Sequence, residues 1–157
     1  MRQIIIAITM ILSFSNAQAQ TNYTPTGIWK WTNGSDVIEF YFKTDSAYYG
    51  DDYVPLIIAF HKYTRNGQVI ESSMSNINSN FNQRLYSLFI TNIPDTNPTL
   101  EGNFKDLSKN SKRYMSLKRI NPSTMQIKLM YPAGVRLNKG GNPYGFTLPR
   151  NFTLIKQ

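Results

Sequence analysis

Gly27-Ile28-Trp29-Lys30-Trp31-Thr32-Asn33-Gly34-Ser35-Asp36-Val37-Ile38-Glu39-Phe40-Tyr41-Phe42-Lys43 is the stretch that decides the fold class. Successive side chains of a strand point to opposite faces, so Gly27, Trp29 and Trp31 share one side of an extended run. After the turn residues Asn33-Gly34-Ser35, Ile38, Phe40 and Phe42 alternate with Glu39, Tyr41 and Lys43, the period-2 signature of a strand with one buried face. These two runs are predicted to pair as a hairpin. Its first arm, Gly27 to Trp31, holds both tryptophans of the chain.

The same reading extends outward. Leu56 to Arg65, Asn66-Gly67 and Gln68 to Met74 form a second hairpin, because Asn-Gly between β-rich runs favours a two-residue type I′ turn. With Arg65 facing Gln68, the register sets Lys62 opposite Glu71 and Tyr63 opposite Ile70. Thr44 to Tyr53, rich in acids around Gly50, reads as a loop with a short strand at Ala47 to Tyr49. Ser75 to Gln83 reads as a long, mobile connection. Leu85 to Ile93 and Thr99 to Lys105 are predicted strands, and Asp106 to Arg113 a basic loop. Tyr114 to Arg119 and Met125 to Tyr131 make a hairpin whose loop must hold an odd number of residues, about three or five, to keep the apolar positions on one face. Pro132 to Gly145 reads as mostly loop with a short strand at Val135 to Leu137, and Asn151 to Lys156 as the last strand.

No run of the mature chain shows helical periodicity. The pattern predicts an all-β domain of roughly eight to ten antiparallel strands. Such strands either close into a barrel or stack as two sheets, since apolar edges invite aggregation. An up-and-down barrel is the favoured reading and a two-sheet sandwich the alternative. In the barrel, Gly27 to Trp31 pairs with Phe152 to Lys156.

The N-terminus carries Arg2, an apolar run from Ile4 to Phe14 and the A-x-A site Ala17-Gln18-Ala19, the layout of a cleaved signal peptide over residues 1–19. Residues 20–157 then form one domain, exported to a periplasm or outside the cell. The apolar run is too short to span a bilayer as a helix, which takes about 20 residues. Outward charges at Glu39, Lys43, Glu101, Lys105 and Lys128 argue against an outer-membrane barrel. The chain has no cysteine, so its stability must come from a core rather than from disulfides. Its formal charge of +8 implies attraction to anionic surfaces.

The Gly27-x-Trp29 start of an all-β chain of this size resembles the lipocalin and wider calycin barrels. That resemblance implies a Trp closing one end, with a basic residue such as Arg150 or Lys156 packed across it. The chain also looks like small exported bacterial proteins with a G-x-W start and a hairpin reading His61-Lys62-Tyr63, Asn66-Gly67, Ile70-Glu71-Ser72 here, to which no activity is assigned.

Few residues suit catalysis. His61 is the only histidine and lies mid-strand, where a structural role is the plain reading, so no enzyme is predicted. No set of His or Cys suits a metal, and Asp45, Asp51 and Asp52 lack a calcium-loop spacing, so neither metal nor cofactor is expected. Trp29, Trp31, Phe40, Phe42, Phe60, Tyr63 and Phe104 are the candidates to line a ligand cavity or close the barrel. Lys105, Lys109, Lys112, Arg113, Lys118 and Arg119 are the candidates for an anionic lipid or glycan surface, export arguing against nucleic acid. Two functions follow as expectations: an interior site for a small apolar or amphipathic molecule, or a filled barrel that binds through its surface.

Overall fold

The computed structural model describes residues 24–91, 93, 98–132 and 145–157. The signal-peptide reading and the short strand at Val135 to Leu137 lie outside these residues. Nine strands follow in order: β1 (Gly27–Asn33), β2 (Asp36–Tyr49), β3 (Asp52–Arg65), β4 (Gln68–Ser72), β5 (Leu88–Ile90), β6 (Thr99–Asp106), β7 (Ser111–Asn121), β8 (Thr124–Met130) and β9 (Asn151–Lys156). The paired strands run antiparallel, and β1, β2, β3, β5, β6, β7, β8 and β9 close on themselves as an up-and-down barrel. Closure falls where the ends of the chain predict it, with Trp29 opposite Lys156 and Lys30 opposite Ile155. The two-sheet alternative is set aside by that seam.

The first hairpin pairs Gly27 with Phe42 through Asn33 with Asp36. Beyond it, the loop reading of Thr44 to Tyr53 is corrected: β2 and β3 stay in register from Asp36–Arg65 to Tyr49–Asp52, around Gly50 at φ 64°. Past Phe42, β2 has no β1 neighbour, and much of the ribbon meets water. Its ladder therefore holds without the apolar alternation by which a sequence reader recognises a strand.

Asn66 and Gly67 have φ of 51° and 76°, the positive values that a type I′ turn demands. Arg65 faces Gln68 as predicted, but Ile70 then bulges out of the ladder, and Tyr63 comes to face Glu71 and Lys62 to face Ser72. The predicted Lys62–Glu71 and Tyr63–Ile70 pairs do not form. Lys62 instead reaches Glu39 of β2 at 2.9 Å. The bulge turns Glu71 toward the interior.

β4 and β5 lie end to end along one edge of β3, joined to it by Ser73 N–H donating to His61 O (2.8 Å) and Ser87 N–H to Ala59 O (2.9 Å). Residues 74–86 leave that edge and return to it. They are not the loose connection that their Asn and Ser content suggests. Met74, Phe81 and Tyr86 cover Leu56, Ile58 and Phe60 on the outer face of β3. Asp45 accepts the Phe81 N–H (2.7 Å), and Lys43 Nζ donates to Ile77 O (3.0 Å). Two 3-10 turns, Met74–Asn76 and Phe81–Gln83, shape the excursion, the second held by reciprocal Asn80–Gln83 capping. The strand predicted over Leu85 to Ile93 is accordingly reduced to Leu88–Ile90.

Between β7 and β8, the residues 120–124 separate the pair Arg119–Met125, and a bulge there supplies the odd count the apolar face requires. The basic loop predicted at Asp106 to Arg113 is shorter, since β6 runs to Asp106 and β7 starts at Ser111. Buried Asp106 closes that turn, accepting from Lys109 N (3.0 Å), Thr147 N (2.9 Å) and Thr147 Oγ1 (2.7 Å). The core then fills the barrel with Trp29, Phe40, Phe42, Tyr63 and Phe104, each 0–1% exposed, and aliphatic side chains from the surrounding strands.

Candidate functional site: an aromatic cleft on the outer wall

Where the excursion rejoins β5, the Phe81 and Tyr86 rings stack, with centroids 5.4 Å apart and planes 3° from parallel. Phe89 meets both edge-on, at 5.8 and 5.5 Å. Their exposed border floors a half-open cleft of about 560 Å³. Along its rim stand Arg84, Lys105 and Lys112. Lys105 and Lys112 are directly opposite each other across β6 and β7, an arrangement of like charges that a strand pair resists. Among the described residues, neither has a carboxylate within ion-pair distance. Two rim residues, Arg84 (φ 56°) and Asn110 (φ 46°), hold left-handed backbone conformations. Burial raises the Tyr86 phenol above its ordinary pKa, against the opposing charge of Arg84, so the ring stays neutral at pH 7.

The cleft can therefore stack a flat or apolar body on aromatic rings while cations meet an attached anionic group. The six basic candidates divide by strand alternation. Lys105, Lys112 and Lys118 are exposed on the outer wall, and Lys109 is exposed in the turn before β7. Arg113 is only 4% exposed and reaches inward, its guanidinium 5.4 Å from both the Tyr131 and Phe146 ring centres. Arg119 shares the inner row, opposite Met125.

A model for a family of unknown function, DUF6705, matches residues 1–157. The chain belongs to that family. No curated protein and no solved structure matches it.

In this DUF6705 chain the aromatic candidates separate in the same way. Trp29, Phe40, Phe42, Tyr63 and Phe104 pack in the interior core, with half-buried Trp31 against Phe152 at 5.8 Å. Phe60 does not line the barrel, because it alternates outward with Leu56 and Ile58 and is buried beneath the excursion. Lys156, rather than Arg150, lies across Trp29, its Nζ 5.9 Å from the ring. The Trp29 Nε1–H donates to Thr26 O at 3.2 Å.

Sequence reasoning missed one interior constellation. His61 Nε2 and Glu71 Oε1 are 2.9 Å apart with side chains 0% and 2% exposed, and Glu71 Oε2 accepts Ser108 N–H at 2.7 Å. The imidazole stacks on Phe40 and tilts against Phe104. Burial works to raise the Glu71 pKa, but the hydrogen bond and charge of His61 and the Ser108 amide outweigh it and hold the carboxyl below its ordinary value. An outward-facing Glu71 is what the sequence shows, and only the bulge at Ile70 reverses it. Among the described residues no three His, Cys, Asp or Glu side chains gather as metal ligands. Asp45, a candidate calcium ligand by type, is engaged by the Ser46 and Phe81 amides.

Proposed function

We propose that the protein is an exported, non-catalytic binding module that holds a small amphipathic anion in the outer cleft. The observation that carries this reading is the joining of a stacked aromatic floor, Phe81, Tyr86 and Phe89, to a cationic rim whose lysines face each other with no carboxylate of the described residues in ion-pair reach. Large side chains filling the barrel favour this surface site over an interior one. The signal-like N-terminus supports export. The Gly27-x-Trp29 start, with Lys156 over Trp29, supports a likeness to calycin barrels, here with the ligand site moved outside.

The test uses 8-anilinonaphthalene-1-sulfonate, an aromatic sulfonate whose fluorescence rises in apolar surroundings. Titration of the full chain should show one saturable site. Lys105→Glu with Lys112→Glu should weaken it at least tenfold, about 1.4 kcal/mol or more, while Lys128→Glu leaves it unchanged. Equal binding by all variants would remove the cleft as the site.

A further inference from the structure

A second cleft of about 560 Å³ lies elsewhere on the outer wall, and its lining differs in kind. Here Ser116, Lys118, Gln126, Lys128, Arg150 and Asn151 present three cations among hydroxyl and amide groups, with no aromatic ring among the described lining residues. Ser116 faces Lys128 across β7 and β8, Lys118 faces Gln126, and Lys128 faces Asn151 across β8 and β9. Lys118 and Lys128 are thus diagonal neighbours on one face, at about 7–8 Å by the geometry of such pairs. Among the described residues, neither they nor Arg150 has a carboxylate within ion-pair distance. Glu101, the acid on the outer face of these strands, sits opposite Ser116.

We infer that this second cleft binds an acidic polysaccharide, a carboxylated or sulfated chain of sugars. Three features select that class. Lys118, Lys128 and Arg150 match repeated negative groups, and the Gln126 and Asn151 amides with the Ser116 hydroxyl match sugar hydroxyls. The row running from Ser116 through Lys128 to Asn151 spans about 10 Å at the usual strand spacing, room for a short run of sugar units, and Glu101 bounds it on the β6 side. A lipid chain would find no apolar side chain among the described lining residues, which sets this cleft apart from the aromatic one.

The experiment is direct binding of the full chain to polygalacturonate, with neutral dextran and phosphatidylglycerol vesicles as the other arms. Binding to polygalacturonate should weaken as salt rises and fall at least tenfold in the K118E/K128E double variant, both sites being exposed on the sheet surface. Binding of the aromatic sulfonate at the other cleft should be unchanged in that variant, so either site can fail without the other. Short galacturonate oligomers should also shift the backbone amide signals of Ser116, Gln126 and Asn151 in the unmodified protein, which does not depend on any variant folding. Failure to bind polygalacturonate, equal binding by the double variant, equal binding of neutral dextran, or binding confined to the vesicles would each overturn the assignment.

Discussion

A carboxylate buried against a single histidine ties stability to pH, and Glu71 is that group here. Its folded pKa lies below the ordinary glutamate value, so the unfolded chain binds the proton more readily. The stabilisation is therefore complete above about pH 4.3, the ordinary value for glutamate, and is lost as the pH falls below it toward the folded pKa. Glu71→Gln leaves an uncharged amide before His61 and Ser108 N–H. It should cost about 1–3 kcal/mol at pH 7, the usual penalty for impairing a buried hydrogen-bond partner. Urea denaturation at pH 7 and pH 3.5 checks this: the gap between variant and parent should narrow at the lower pH. A gap independent of pH would mean that the carboxylate charge adds nothing. Residue identity alone did not disclose the pair. His61 and Glu71 read as a mid-strand histidine and an outward acid, and their meeting depends on one extra residue in a ladder, which side-chain type does not encode.

At the scale of elements, strands with one wet face were legible and strands with two were not. The hairpins at Asn33–Asp36 and Arg65–Gln68 announce themselves through alternation and turn chemistry. The ribbon beyond Phe42 and the excursion 74–86 do not, because polar residues there face water while a few apolar ones, among them Met74 and Phe81, do the packing. Phe60 shows what this hides: wholly buried, yet outside the barrel. Phe60→Ala should destabilise the protein by about 3–5 kcal/mol, as for a buried Phe. It should also speed amide exchange at Phe81 and Arg84 more than at Met115 in β7. Uniform acceleration would mean that the excursion and barrel open as one unit. The β5–β6 seam makes a different demand. A Cβ on Gly102 would lie 2.7 Å from both Ile90 Cγ1 and the Phe89 carbonyl oxygen, and the backbone atom has little freedom to retreat. Gly102→Ala should therefore lower stability by about 1–3 kcal/mol in a thermal or urea melt, although alanine is otherwise the better residue in an ordered strand. A neutral result would show that β5 shifts freely.

For the molecule as a whole, the candidate clefts were the least legible part, since each depends on how the outward side chains of several successive strands come into register, whereas closure could be inferred from the two ends of the chain. The closing seam is also short. β1 meets β2 at seven positions but β9 at only two, Trp29–Lys156 and Lys30–Ile155, supplemented by Gln157 N–H donating to Ile28 O at 3.0 Å. Phe152 and Leu154 nevertheless insert fully into the core, at 5% and 0% exposure. Removing residues 152–157 would withdraw both side chains, each worth about 1.5–3 kcal/mol when buried. It would also strip Lys156 from the Trp29 ring and leave β1 and β8 as apolar edges. Set against a typical total stability of about 5–15 kcal/mol, that loss should unfold or aggregate the chain. Urea denaturation followed by tryptophan fluorescence is well placed to detect it, because Trp29 is buried beside the seam and Trp31 packs on Phe152. A truncated chain with an unchanged midpoint would mean that the remaining seven barrel strands hold the core without the ninth strand, and that the β1–β9 pairing contributes little to stability.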